Sequence, residues 1–353
     1  MELNEIISMI RPADRNVYDA ALQKWDSLAK PLGSLGVLEE DITGIAACKG
    51  NTAFRLDRRT LLVFCADNGV VAQGVSQCGA EVTAAVAAAL GQGTSTVNYM
   101  ADTVRCAVLP VDIGMAEDTP GGVLDRKIRR GTADMTKGRA MTRKECEEAI
   151  LTGVQMAKEE AQRGTDILLL GEMGIGNTTS SAAVASVLLE REPEEVAGRG
   201  AGLSDSGLRR KIRAIREAIA ANLPDPGDPV DVLSKVGGLD LAALCGVCLG
   251  GALFGIPVLM DGMITNTAAL CAVRLCPQAA GALFASHASG EPASRWLLEA
   301  VGKKPCIRAG LRLGEGTGAV LALGMLDQAL AVYGSGHTFG ELGIEAYTPQ
   351  QEG

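Results

Sequence analysis

The chain has 353 residues, 47% of them hydrophobic and 3% aromatic, with a formal net charge of −9. That length accommodates one large core or two unequal domains, while the negative balance and the scarcity of aromatic rings argue against a nucleic-acid backbone as partner beyond local basic patches. Ten cysteines in a chain this large, without a basic-then-apolar amino end, read as reduced cytoplasmic thiols rather than a secreted disulfide framework.

The first 30 residues read as helical, beginning with the amphipathic MELNEIISMIRPADR. Lys30 to Gly36 is a breaker-rich loop, and VLEEDITGIAAC after it is a helix. The apolar run 61–66 is a strand that stops at Asp67-Asn68-Gly69. EVTAAVAAALGQG is a helix with a glycine stop, and Thr103 to Asp112 is a second strand ending in an acid. Residues 121–140 form a polar, glycine-punctuated excursion, followed by a helix over 142–163. DILLLGEMGIGNTTSSAAVASVLL reads as strand, glycine turn and helix. An exposed loop at Pro224 to Pro229 precedes the helix GGLDLAALCGVCLGGALFG and the strand IPVLMDG. AALCAVRLC is helical, LFASHASGEP is strand then loop, and LRLGEGTGAVLALGMLDQALAVY is a turn entering a helix.

The 20 residues from Leu241 to Met260 carry no charge, which is near membrane-spanning length. Their glycines, Pro257 and the immediately following Asp261 favour a buried helix, a turn and a short strand in a soluble protein. Cys245 and Cys248 lie in this run as small packing residues, with a redox or metal role as the lesser alternative. Two histidines, His287 and His337, exclude a histidine-rich metal site. Short strands alternating with helices of 10 to 20 residues predict an α/β fold with a mostly parallel sheet covered on both faces. Ligands then belong at the strands' carboxyl ends, where Asp67, Asp112, Glu172, Asp261, Ser286 and the 314–318 turn collect.

Five clusters suit chemistry. Gly171 to Thr179 offers glycines for close backbone approach and a helix start for an anion, with Asn177, Thr178 and Thr179 adding polar contacts. It is neither a Walker loop nor GxGxxG, and a tight turn with a capping asparagine is the alternative. In Gly314-Glu315-Gly316-Thr317-Gly318 a carboxylate unshielded by its neighbours suits proton abstraction, or equally caps its own helix. Lys211 in LRRKIRAI offsets phosphate charge or sits on a charged helix face. Asp67 to Val70 with Gly74 to Ser76 is a strand-end loop or simply a turn at Asn-Gly. Ser286 to Pro292 contains a serine, a histidine and an acid but no GxSxG elbow, so a nucleophilic hydrolase is disfavoured.

Together KPLGSLGVLE (30–39), FCADNGVVAQGVS (64–76), EMGIGNTT (172–179), GGLDL (237–241), DGMITNTAAL (261–270), SHASGEP (286–292) and RLGEGTGA (312–319) resemble the nicotinate-nucleotide–dimethylbenzimidazole phosphoribosyltransferase family of cobamide lower-ligand activation. The resemblance spans roughly residues 28–326 and rests on motifs in family order and spacing. It implies a Rossmann-like large domain at 29–326, and a small helical domain built from 1–28 with 327–353. It also implies a dimer whose active sites borrow residues across the interface. The implied reaction moves ribose 5-phosphate from nicotinate mononucleotide to an aromatic base with inversion at the anomeric carbon, needing neither metal nor other cofactor. Glu315 matches the general base. Glu172, Gly174, Ile175, Gly176, Asn177 and Thr178 match the nucleotide loop, Lys211 the phosphate-region lysine, and Gly202, Gly262, Ser289 and Gly318 the lining of the nucleotide site.

The acceptor pocket, assigned to Ser76, Gln77, Thr83, Ala84 and Leu313, departs from the family pattern. Asn68 stands for a usual histidine, Gln77-Cys78-Gly79 for an Ala-Tyr-Pro-like run, Ala84 for a glutamine, and Ala89-Leu90 for an Asn-Phe pair. These losses remove hydrogen bonds and walls suited to a benzimidazole. They favour a branch that accepts phenol or p-cresol and pairs two paralogous subunits, over a homodimer using dimethylbenzimidazole. A non-catalytic partner subunit and a nucleotide-binding module without transfer are the remaining readings, and the intact Glu315 opposes the first.

Overall fold

Runs such as LLVFCA and ILLLGEM suit strands buried on both faces, and they sit at the centre of one sheet. The computed structural model describes residues 2–347. Its strands are β1 (Arg59–Ala66), β2 (Cys106–Gly114), β3 (Leu124–Asp125), β4 (Ile167–Met173), β5 (Val258–Met260) and β6 (Leu283–Ala285), in the spatial order β3-β2-β1-β4-β5-β6. Every pairing is parallel. The chain builds outward from β1 through β2 and β3, then returns to lay β4 on the other edge of β1. The strand order therefore reverses between β1 and β4, and the crevice beyond their carboxyl ends is where such sheets bind ligands.

Strand periodicity divides the core into two layers. Leu62 and Phe64 of β1 face the helices Arg143–Arg163, Leu239–Phe254 and Met263–Leu275. Leu61, Val63 and Cys65 face the helices Val37–Lys49, Glu81–Gln92, Thr96–Thr103 and Thr317–Ser335. The uncharged run resolves into helix Leu239–Phe254, a left-handed Gly255 and β5. Helix Leu239–Phe254 is held in the core by close packing on helix Arg143–Arg163. A side chain at Gly246 would strike the carbonyl of Ile150, and one at Gly153 the carbonyl of Ala243. Cys245 and Cys248 are buried in that helix, and burial pushes both thiols up. Among the described residues one helical stretch, Thr317–Gly334, is long and apolar enough to cross a membrane, and half of it is buried.

Three local expectations shift. The amino end forms two helices, Leu3–Met9 and Arg15–Ser27, because Pro12 interrupts it and Asp14 caps the second by accepting from the amides of Asn16 and Val17. Ser95 and Asn98 form a capping box that starts helix Thr96–Thr103, so β2 begins at Cys106 rather than Thr103. The 121–140 excursion contributes the two-residue β3 to the sheet edge. The terminal segments meet where Trp25 packs on Tyr333, ring centroids 5.0 Å apart, and where Leu28 bridges Thr338. The boundary expected near residue 326 falls inside helix Thr317–Ser335, and residues 348–353 of that expected segment lie outside the described ones.

Candidate active site

Strand ends supply the acids. Glu172, registered opposite Phe64, stands at the end of β4, and Asp261 follows β5 directly. Between β4 and helix Asn177–Leu188 the chain turns through Gly176 at φ 93°, so the helix starts without a side-chain cap. Asn177 at its first position donates its amide hydrogens to two buried carboxyls, Glu172 and, at 3.2 Å, Asp240. Asp240 belongs to the first turn of helix Leu239–Phe254. Burial first, then the neighbouring charges of Asp240, Asp261 and Glu315, push Glu172 well above the usual carboxylate range, against the hydrogen bond from Asn177. Burial pushes Asp240 up to about 6.

The second wall is the loop Gly314-Glu315-Gly316, whose three residues all have positive φ (89°, 59° and 88°). Glycine tolerates this, but a glutamate there costs about 1–3 kcal/mol. The loop presses on β4 so closely that a side chain at Gly171 would lie 2.6 Å from the carbonyl of Glu315. One carboxyl oxygen of Glu315 is buried without a hydrogen-bond partner. Burial raises its pKa, opposed by the Val97 amide and the Ser95 hydroxyl at the start of helix Thr96–Thr103. Such a group holds its proton more tightly than a free carboxyl, which suits it to accept one from a reacting group.

A cavity of about 320 Å³ lies between the two walls. Glu172, Gly174, Ile175, Asn177, Thr178, Gly262, Ser289, Leu313 and Glu315 all line it, as do Asp261, His287, Glu291 and Arg312. Burial holds the His287 imidazole down at about 4, so it is neutral at physiological pH, with Nδ1 3.0 Å from the Ser286 hydroxyl.

Other expected residues act from behind the walls. Lys211 is fully buried and donates to Thr178 Oγ1 at 2.9 Å and to the Gly198 carbonyl at 3.0 Å. Burial lowers it to about 8, with Glu291 pulling the other way. Its charge thus sits beneath the turn rather than on the cavity surface. Gly176 packs on Asn68 and Val71, Gly318 gives its amide to Asp261, and Gly202 accepts from the Gln77 amide at 2.6 Å. Thr83 accepts from the Ile175 amide at 3.1 Å and so pins the turn. Ser76, Gln77, Thr83 and Ala84 do not line the cavity; Cys78, Val82 and Val86 do. Helical spacing explains the shift, since positions 82 and 86 share the face of helix Glu81–Gln92 that looks into the cavity. Asp261 and Asp240 had a legible signal, an acid at a strand end and at a helix start. The Ser95–Val97 contact with Glu315 joins segments about 220 positions apart and left none. Among the described residues no group of three His, Cys, Asp or Glu is arranged to hold a metal.

A phosphoribosyltransferase family model (DBI_PRT) matches residues 10–344, which include both walls. The chain belongs to the nicotinate-nucleotide–dimethylbenzimidazole phosphoribosyltransferase family. It is 45% identical over 333 residues to the enzyme of that name from Acetivibrio thermocellus, covering 94% of this chain and 95% of the relative. The enzyme from Ruminiclostridium cellulolyticum is 43% identical, with 99% of each chain covered. Among solved structures, CobT from Thermus thermophilus superposes with a TM-score of 0.89 at 40% identity, covering 94% of this chain and 99% of that one. Membership makes the chain a phosphoribosyltransferase.

Proposed function

We propose that this chain moves ribose 5-phosphate from nicotinate mononucleotide to a small aromatic cobamide lower-ligand base, with Glu315 as the general base. The observation that carries the reading is Glu315, held in a strained left-handed conformation with a buried unpartnered oxygen at the cavity. The nucleotide phosphate belongs at the Gly174–Thr178 turn, over the helix start and the Lys211 charge. Burial and the neighbouring acids favour the neutral form of Glu172 there, which lessens the negative charge set against an anionic nucleotide. The acceptor's N–H or O–H proton passes to Glu315 while its nitrogen or oxygen bonds to the anomeric carbon on the face opposite nicotinate. The C–N bond to the pyridinium breaks, its electron pair neutralises the ring, and nicotinate leaves with β inverted to α.

For the acceptor we favour phenol or p-cresol. Val82, Val86, Leu313 and Cys78 offer apolar walls and no amide side chain for a second ring nitrogen. A single-ring acceptor with one heteroatom leaves no buried polar atom unpaired there. Exposed Tyr99 and Leu321, on adjacent helices, with Leu313 at the cavity, support a paired subunit, either a second copy or a paralogue. The ten free cysteines suit a reducing cytoplasm. The chain, alone and with any co-encoded homologue, is incubated with nicotinate mononucleotide and equal concentrations of dimethylbenzimidazole, adenine, phenol and p-cresol. Mass spectrometry is expected to find the α-ribosyl phosphate of phenol or p-cresol. The benzimidazole product alone would overturn the acceptor assignment, and bound nucleotide without released nicotinate would overturn the transfer.

A further inference from the structure

Helix Thr317–Ser335 begins at Gly316, which has no side chain to cap the free amides of the first turn. The cap comes from elsewhere in the fold. Asp261, at the end of β5, accepts from the Gly318 amide at 2.7 Å and the Ala319 amide at 3.2 Å through a single oxygen, Oδ1. The amides of Gly316 and Gly262 also bear on its carboxyl, and His287 Nδ1 stands 3.8 Å from Oδ1. The fit leaves no slack: a side chain at Gly318 would lie 2.8 Å from Asp261 Oδ1 and would overlap the His287 ring. Glu315 stands two positions before this capped turn, between two left-handed glycines that cannot fix its direction by themselves.

We propose that Asp261 is a positioning residue that sets the geometry of Glu315 by capping, from the neighbouring strand end, the helix into which the Glu315 loop runs. Without the cap the first turn frays, the loop relaxes from its strained conformation, and the carboxylate leaves the line of the acceptor proton. Nucleotide contacts at the Gly174–Thr178 turn belong to another element and stay in place. The inference rests on Glu315 acting as the base, and its test has one arm that needs no turnover.

The test compares D261A and D261N, the latter keeping an acceptor at Oδ1. For D261A, kcat for nicotinate release is expected to fall about 100-fold, as for a reacting group displaced by an ångström, with KM for nicotinate mononucleotide within about threefold of the parent. D261N is expected to recover most of that loss. In parallel, hydrogen exchange over residues 312–320 is expected to be fast in D261A and protected in D261N and the parent. Unchanged kcat in D261A, equal losses in both Asp261 variants, or a proportionate rise in KM would overturn the assignment. If the parent chain turns over no base, the proposed function fails, and exchange alone then decides the cap: unchanged protection in D261A overturns it, and selective loss over 312–320 upholds it.

Discussion

Glu315 combines two liabilities, a left-handed backbone and a buried oxygen without a partner. Replacement by glycine removes both, offset in part by the greater freedom glycine gives the unfolded chain. E315G is therefore expected to be as stable as the parent or up to about 1 kcal/mol more stable in urea unfolding, while losing turnover. E315Q keeps shape and strain but not basicity, and kcat should fall by roughly 10²–10⁴, with nucleotide binding measured calorimetrically unchanged. Because burial raises the Glu315 pKa, the acid limb of kcat against pH should lie above the range of a free carboxyl. The alternative role, a cap for its own helix, predicts instead that E315G destabilises the protein. The structure already gives that role to Asp261.

Among the elements, helix Glu81–Gln92 lines the cavity, the proposed acceptor side, through Val82 and Val86, which carry no distinguishing mark in the sequence. Val82 and Val86 were indistinguishable in the sequence from the core-facing Thr83, Ala87 and Leu90, because nearly every residue of the helix is small or apolar. Its orientation is set by the sheet on one side and the Ile175–Thr83 hydrogen bond on the other, both long-range. The strand-end acids and the glycine turns were legible because their signals are local: an apolar run, then an acid, then a backbone that needs glycine. Lys211 was legible as a charge near the nucleotide loop, but not as one buried beneath it. The wall makes a specificity prediction. V86F narrows the cavity, so kcat/KM for dimethylbenzimidazole should fall at least about tenfold more than for phenol, a difference in the range of a lost or gained methylene or two. Equal losses on both acceptors would show that Val86 does not bound the ring.

At the scale of the whole molecule, the parallel sheet gathers buried acids, and they give the protein an unusual pH dependence. Burial pushes Asp41 up to about 7, Asp240 to about 6 and Asp261 to about 7, and Glu172 well above its ordinary 4.5. A carboxyl whose folded pKa is raised binds its proton more tightly folded than unfolded, so it adds stability as pH falls through the folded value and that contribution is lost as pH rises. His287 works in the opposite direction: its pKa drops from 6.5 to about 4, so acidification across that interval favours the unfolded chain. These raised carboxyls together outweigh one lowered imidazole and leave a net gain on going from pH 8 towards about 5.5. Below the ordinary carboxylate range the balance turns, because Glu145, Asp228 and Glu341 have lowered pKa values and must be protonated against their hydrogen bonds. The midpoint of urea unfolding is therefore expected to be higher at about pH 5.5 than at about pH 8, and to fall again below about pH 4. Asp41 lies outside the active site, near Lys303 on the helix Val37–Lys49 side, so D41N should flatten part of this rise without changing turnover. A midpoint that climbs steadily from about pH 5.5 to 8 would mean that these carboxyls are ionised in the folded protein, and that the cavity is wetter and its acids better solvated than their burial implies.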